Sequence, residues 1–506
     1  MFSGLALALA FPRPDLYPLI WIALIPLLLA LDGASPWRGW WLGLVAGSIY
    51  RLGTIYWLVE VMVRYGGLRL PLAVAAAGAL VLYLASFVGL FGLLAAWMMP
   101  LGPAPSVLLA ALWVSLEYPQ AYFLGGFPWV LVGYAAGRSA VLVQVADLIG
   151  VYGLGFLAVT VNAAAAALIG RRRQALPSAA MAVLMVTAAA LYGGFCLAAA
   201  PPLEAKHPRK MKVALVQGNV PQGRKWDRAA RIGIIAEHLR LSRQGVERGA
   251  DLIVWPESSI PSRMGLARDP QVRTALTSLA RDAGVSVLVG SAHVASLAPI
   301  VATNAAFLVT PNSGWMQRYD KVKLVPFGEY VPLRRWLPWI KPLVEAVTEF
   351  HPGEYSQPLM SDLSTSVPSF GVEICYEIIF PDLVRRQVAR GATFLVTITN
   401  DAWFGDSSAP YQHFDMARLR AVENRRYLVR AANTGISGVV DPWGRVVQRT
   451  ALDRATVVTA SIVPNTSLSP FTRWGGLFAP TCILLVVAAA LLRVGRSSRS
   501  AGQQER

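Results

Sequence analysis

The run Ser369-Phe370-Gly371-Val372-Glu373-Ile374-Cys375-Tyr376-Glu377 decides how the second half of this chain folds. Ser369–Cys375 reads as a short buried β-strand, and Pro381–Arg390 behind it carries a helical pattern. A thiol therefore stands where a strand gives way to a helix. Working outward, Lys212–Gln217, Leu252–Trp255, Val285–Gly290, Ala305–Thr310 and Phe394–Thr399 also read as strands. They alternate with helices expected over Asp227–Arg248, Pro270–Ala283 and Tyr411–Arg425. Such alternation predicts a layered α/β domain over about residues 208–465. In open α/β sheets, residues at the C-terminal ends of strands converge on one crevice, where ligands bind.

The rest of the chain is of another kind. The 506 residues are 55% hydrophobic and only 15% charged, against about 25% charged in an ordinary soluble protein. Residues 1–200 hold nine Arg, no Lys and five acids (Asp15, Asp32, Glu60, Glu117 and Asp147), while the later residues carry an ordinary soluble density of charge. A single soluble domain and a disordered chain are both excluded. Roughly 20 apolar residues cross a hydrocarbon core of about 30 Å. By that measure seven spans are expected near 2–11, 16–32, 39–58, 71–99, 104–122, 144–170 and 177–199, and an eighth over 475–492. The first is short, and Met1–Ala10 lacks the basic start of a secretory signal. The expected organisation is a membrane domain over 1–200, a soluble domain over 208–465, a C-terminal transmembrane helix over 475–492 and a basic tail over 493–506.

Lys and Arg accumulate in the cytoplasmic loops of membrane proteins. Arg171-Arg172-Arg173 and the tail with Arg493, Arg496, Arg499 and Arg506 fall on the same side by parity, which places the soluble domain outside. Arg64 and Arg69 run against this orientation. The residues after 200 carry a net charge of +13 of the total +17, which suits anionic lipid headgroups or simply a well-solvated surface. No nucleic-acid-binding motif is present.

Of three cysteines, Cys196 and Cys482 fall in expected spans, which leaves Cys375 alone in the soluble block and no disulfide framework. Two other reactive groups follow the same end-of-strand logic. Trp255-Pro256-Glu257-Ser258 sets a carboxylate just past a strand, with Pro256 ending the ladder. Tyr319-Asp320-Lys321-Val322-Lys323-Leu324 sets ammonium groups before the turn-like Val325-Pro326-Phe327-Gly328-Glu329-Tyr330. Each run alone reads equally as capping, solvated surface or core. The five histidines show no zinc-type spacing, and no Gly-rich phosphate loop occurs, so no metal and no cofactor are expected.

The ordered set of Glu257 after Trp-Pro, Lys321 after Tyr-Asp and Cys375 before Tyr-Glu resembles the Glu-Lys-Cys triad of the nitrilase (carbon–nitrogen hydrolase) superfamily. The runs Arg420–Tyr427 and Arg430–Gly435 resemble that superfamily's later segment. Leu324–Pro332 and the membrane frame are similar to the bacterial apolipoprotein N-acyltransferases. One departure is Lys323, where many relatives carry His. The resemblance implies an αββα sandwich facing the periplasm from the inner membrane, on a helical membrane bundle. It implies transfer of a fatty acyl chain from a phospholipid to the N-terminal diacylglyceryl-cysteine of an apolipoprotein, with Glu257, Lys321 and Cys375 catalytic; we expect a monomer.

The chemistry needs those residue types. A free thiol has a pKa of about 8.5 and is a weak nucleophile until a base takes its proton. Glu257 is the candidate base, and the pocket must be partly dry for that transfer. Lys321 and the backbone N–H of Tyr376 are the candidate oxyanion donors. Glu329 and Glu377 are candidates to hold Lys321 charged and oriented, or are ordinary capping carboxylates. Trp226 and Tyr376 are candidates to line the acyl or headgroup path. A membrane-tethered amide or nitrile hydrolase shares the triad, but eight helices suit lipid substrates better. A transporter would use acids inside spans, and Glu117 and Asp147 lie near predicted span ends.

The run Arg334-Arg335-Trp336-Leu337-Pro338-Trp339-Ile340-Lys341-Pro342-Leu343-Val344 mixes bulky apolar and basic residues, a membrane-dipping pattern. It is expected to touch the outer leaflet and admit lipid. Replacing Trp336 and Trp339 by Ala should slow turnover of phospholipid in micelles without lowering the thermal midpoint. Unchanged turnover would contradict the expectation.

Overall fold

The structure is a computed structural model that describes residues 1–98, 105–171, 175–203, 207–208, 210–225, 227, 229–262, 265–297, 300–312, 317–331, 349–354, 357–360 and 367–504. The chain divides into two compact units. One comprises Met1–Val59, Arg69–Ala199 and Trp474–Arg506; the other comprises Glu60–Leu68 and Ala200–Arg473.

The first unit is helical. Among the described residues, Leu70–Met98, Leu142–Ile169, Ala175–Ala198 and Pro470–Gly495 are long and apolar enough to cross a bilayer. Pro36–Ile55 with Leu58–Arg64, bent by 51°, makes a fifth if the pair counts as one span. The expected count of about eight is thus not reproduced as unbroken helices. The stretch expected at 2–11 forms only Phe2–Leu9. That at 16–32 splits into Tyr17–Trp21 and Ile25–Ala30, and Pro105–Glu117 gives way to the turn Tyr118–Ala121. Pro18, Pro26 and Pro119 each stand at the start of a new short helix, because proline lacks an N–H and cannot continue the preceding one.

Broken backbone in an apolar setting must find partners inside the protein. Asn162 supplies them to the split segment: its Nδ2 donates to the Ile20 carbonyl at 2.9 Å and its Oδ1 accepts from the Leu24 N–H at 2.8 Å. The buried Arg51 guanidinium donates to the Trp129 carbonyl at 2.9 Å and to Gln120 Oε1 at 3.0 Å. The acids that a transporter would need have structural partners here. Glu117 accepts from the Val132 N–H at 3.0 Å, and Asp147 accepts from the Tyr192 hydroxyl at 2.9 Å.

Helices Pro36–Ile55 and Leu70–Met98 meet through glycine. A Cβ on Gly92 would lie 2.1 Å from the Gly39 carbonyl oxygen, and one on Gly43 would lie 2.2 Å from that of Val88. Only small residues allow backbones this close. Gly92→Val should therefore cost about 1–3 kcal/mol through overpacking, seen as a lower thermal midpoint of the detergent-solubilised protein; an unchanged midpoint would contradict the contact.

The second unit is built on two sheets. Its strands are β1 (Met211–Gln217), β2 (Leu252–Val254), β3 (Ser286–Leu297), β4 (Ile300–Val309), β5 (Gln317–Asp320), β6 (Gly371–Ile374), β7 (Leu395–Thr399), β8 (Leu428–Ala432), β9 (Gly438–Val440), β10 (Val446–Arg449) and β11 (Thr456–Ile462). One sheet runs β11-β1-β2-β3-β4-β5 and the other β10-β9-β8-β7-β6. The central strands β1-β2-β3 and β6-β7-β8 are parallel. Alternate side chains of a strand face opposite ways, and here both directions are buried. Val213 and Leu215 of β1 join Val372, Ile374, Val396, Ile398 and Val429 in the core between the sheets. Ala214 and Val216 instead pack with Ile235 and Leu241 of helix Arg231–Glu247 and Leu276 of helix Pro270–Ala283. Helices Pro381–Ala389 and Ala409–Asn424 pack on strands of the second sheet. The result is the αββα sandwich.

Two differences from expectation matter. The strand predicted to reach Cys375 ends at Ile374. Strands β5 and β8 to β11 were not foreseen, because β8 carries Arg430 inside an apolar run, β9 has three residues and β10 is largely exposed.

Candidate active site

Cys375 is the first residue past β6, opening a 3-10 turn over Cys375–Ile379. Its φ is +55°. A non-glycine residue in this left-handed region costs on the order of 1–3 kcal/mol and persists only where its surroundings enforce it. Glu377 is one enforcer. Its Oε1 accepts from the Tyr319 hydroxyl at 2.9 Å, the Val322 N–H at 2.7 Å and the Lys323 N–H at 3.0 Å, and its Oε2 accepts from the Ile374 N–H at 2.8 Å. One buried carboxylate thus ties the end of β6 to the loop that follows β5. Burial pushes the Glu377 carboxyl up to about 7, against the pull of those donors and of Lys321.

That loop presents Lys321. Its Nζ is buried, 2.9 Å from Glu329 Oε1 and 3.5 Å from Glu257 Oε1. Asn304 of β4 lies between the two acids, and its Nδ2 donates to Glu257 Oε1 at 2.7 Å and to Glu329 Oε1 at 2.9 Å. The Asn304 carbonyl also accepts the Lys321 N–H at 2.8 Å. Glu257 Oε2 accepts from the Asn400 N–H at 2.9 Å, and Glu329 Oε2 from the Val325 N–H at 2.8 Å. Burial alone would lower the pKa of the Lys321 ammonium, but the Glu329 and Glu257 carboxylates outweigh it and hold it charged. The Cys375 thiol is pushed well up by burial and by the Glu257 carboxylate, against the opposing pull of Lys321. At rest it is a thiol, and it needs a base in the pocket to become a nucleophile.

The structure therefore brings Glu257, Lys321, Glu329, Cys375 and Glu377 into one buried group. Tyr376 is buried next to Cys375, its ring edge-on to Phe380 with centroids 5.2 Å apart. Lys323 leaves the group: its ammonium lies 5.4 Å from the centroid of the Phe380 ring. Trp226, Trp336 and Trp339 lie outside the described residues, as do Arg172 and Arg173 of the basic cluster. Among the described residues, no three His, Cys, Asp or Glu side chains gather so as to hold a metal ion.

Sequence reasoning missed several neighbours. Asn304 gives no signal within a long strand. Asn400 and Asp401 follow β7 and were reachable by the end-of-strand rule that found Cys375. Lys225 is buried, donates to the Glu257 carbonyl at 3.1 Å, and is held down to about 8 by burial. His413 and Arg430 join Asp401 behind Cys375. Tyr65, between apolar helices in the sequence, clusters with this unit: its hydroxyl donates to the Ala402 carbonyl at 3.0 Å and its ring meets that of Trp403 edge-on.

Removing one partner of a buried ion pair costs about 3–5 kcal/mol, because the remaining charge is left uncompensated. Lys321→Met leaves two buried carboxylates with amide donors but without the ammonium they share, so its thermal midpoint should fall clearly below that of the unaltered protein. Equal midpoints would contradict the charge balance described.

Residues 212–467 match the family model for carbon-nitrogen hydrolase, and residues 3–164 match that for the apolipoprotein N-acyltransferase N-terminal domain. The apolipoprotein N-acyltransferase of Geobacter metallireducens is 38% identical, covering 98% of this chain and 95% of its own. That of Azotobacter vinelandii is 34% identical, covering 99% and 95%. Among solved structures, an amidase from Nesterenkonia is 22% identical, covering 51% of this chain and 91% of its own, with a TM-score of 0.37. With both family models matched in order and relatives aligned end to end, the chain belongs to the apolipoprotein N-acyltransferase family, enzymes of the bacterial membrane.

Proposed function

We propose that this chain N-acylates the N-terminal diacylglyceryl-cysteine of apolipoproteins by a two-step transfer through a thioester on Cys375, with a phospholipid as donor. The observation that carries the reading is the single buried group of Glu257, Lys321 and the Cys375 elbow, in a chain whose other unit is made of apolar helices.

In the first step Glu257 takes the Cys375 proton as the sulfur attacks the ester carbonyl. The carbonyl electrons move to oxygen, where Lys321 Nζ and the Tyr376 N–H stabilise the charge. The ester C–O bond then breaks, Glu257 returns the proton to the leaving alkoxide, and a lysophospholipid departs. In the second step the α-amino group of the acceptor attacks the thioester and passes its proton to Glu257. The C–S bond breaks and the thiol is restored. Glu329 holds Lys321 charged without touching substrate, and Glu377 holds the elbow against the Lys321 loop. Trp226, Trp336 and Trp339 enter this reading as contacts to acyl chain or headgroup, on sequence grounds alone. The basic runs at Arg171–Arg173 and Arg493–Arg506 support an inner-membrane protein with its catalytic unit in the periplasm.

The test is N-acylation of a diacylglyceryl-cysteine peptide by the detergent-solubilised protein, with phospholipid and peptide concentrations varied together. A two-step transfer gives parallel double-reciprocal lines, and intersecting lines would contradict it. Cys375→Ala should abolish transfer. Lys321→Met should lower kcat by about 10²–10³ or more, the usual cost of losing an oxyanion donor. Acid release from phospholipid without peptide acylation would favour a hydrolase instead.

A further inference from the structure

At the Cys375 carbonyl, three buried polar side chains form a chain of contacts that the transfer chemistry above does not use. His413 Nε2 lies 3.1 Å from the Cys375 carbonyl oxygen. Its Nδ1 lies 3.0 Å from Asp401 Oδ1 and 3.1 Å from Arg430 Nη2. Arg430 Nη2 also donates to Asp401 Oδ2 at 2.8 Å, and the Thr399 hydroxyl donates to Asp401 Oδ1 at 2.8 Å. His413, Asp401 and Arg430 are all fully enclosed.

The protonation pattern follows from these partners. A carbonyl oxygen can only accept, so His413 Nε2 carries a hydrogen and donates it to Cys375. Burial and the Arg430 guanidinium hold the ring below its ordinary value, while the Asp401 carboxylate and the Cys375 carbonyl pull the other way, and Nδ1 lies within hydrogen-bond reach of both Asp401 and Arg430.

The bond that His413 makes has a consequence across the next peptide. The Cys375 carbonyl and the Tyr376 N–H belong to one planar unit and point in opposite directions across it. Fixing the carbonyl toward His413 therefore fixes the Tyr376 N–H toward the other edge, and it fixes ψ of a residue already held at φ +55°.

We infer that His413 is a positioning residue for acyl transfer: through the Cys375–Tyr376 peptide plane it aims the Tyr376 N–H at the developing oxyanion, with Asp401 and Arg430 setting its ring. This inference rests on the reading of Cys375 as nucleophile and of the Tyr376 N–H as oxyanion donor. It differs from a role in activating the thiol, and that difference makes it testable. Alkylation by iodoacetamide consumes the same thiolate but develops no oxyanion, so it is blind to the aim of that N–H.

The experiment uses the full chain in phospholipid–detergent micelles and reads three quantities for each variant: the rate of Cys375 acylation by intact mass, the rate of Cys375 alkylation by iodoacetamide, and the thermal midpoint. A misplacement of about 1 Å at a reacting centre costs on the order of 100-fold. His413→Ala should lower the acylation kcat by about that factor with KM and alkylation unchanged. His413→Gln, whose amide N–H reaches the position of Nε2, should recover most of the loss. His413→Asn, whose amide reaches only the Nδ1 position, should not. The Gln and Asn variants are both polar, so the comparison holds even where the Ala variant fails to fold. Acylation at the unaltered rate in His413→Asn would overturn the role of His413 while leaving the Cys375 reading intact. Alkylation falling in step with acylation would also overturn it, since the cysteine itself would then have moved. Absence of any Cys375 adduct in the unaltered protein would overturn the Cys375 reading, and this one with it.

Discussion

A buried ammonium held between two buried carboxylates is the constraint on which the catalytic unit depends. Lys321 reaches Glu329 and Glu257, and Asn304 gives one hydrogen of its amide to each acid. Removed from water, either carboxylate alone would carry a large desolvation penalty, and so would the lysine. Together the two acids accept six hydrogen bonds, two of them from the one cation they share. The arrangement also does something a salt bridge at the surface could not. It fixes a permanent positive charge beside a thiol that burial and the Glu257 carboxylate keep protonated. The charge is thus already in place for the moment when negative charge appears, which is where preorganised donors contribute most.

The second constraint is the elbow at Cys375. Left-handed backbone at a non-glycine residue is unfavourable on its own, and two buried groups hold the backbone on either side of it in sequence or at its own carbonyl. Glu377 binds the Ile374 N–H before it and the Val322 and Lys323 N–H groups of the loop after β5. His413 binds the Cys375 carbonyl itself. The elbow and the Lys321 loop are consequently parts of one hydrogen-bonded frame. Asn400 and Asp401 extend that frame, the first through its N–H to Glu257 and the second through His413 to Cys375. Glu257 and Cys375 are therefore referenced to adjacent residues that follow β7.

Much of this was legible in the sequence because strand ends announce themselves. Pro256 closes β2 and leaves Glu257 at its mouth, and the polar run Tyr376-Glu377 ends the apolar alternation of β6 just after Cys375. What stayed hidden was of two kinds. Asn304 and His413 act through contacts between residues far apart in the chain, and nothing in their local sequence separates them from ordinary core polar groups. The short strands β9 and β10 and the polar-interrupted β8 carry too few apolar residues in register to be told from loop. In the helical unit, composition marked the apolar stretches, but Pro18, Pro26 and Pro119 break several of them, and Asn162 binds the backbone exposed between Tyr17–Trp21 and Ile25–Ala30. A hydropathy argument sees the stretch and not the break.

The central claim is that Cys375 carries the acyl group between two lipid substrates. The most direct measurement is the intact mass of the detergent-solubilised protein after incubation with phospholipid, beside Cys375→Ala. The account predicts a hydroxylamine-labile adduct of acyl size on the unaltered protein alone, discharged by a diacylglyceryl-cysteine peptide and stable to water over the same time. An adduct that persists in Cys375→Ala, or no adduct on folded protein with lipid present, would contradict it.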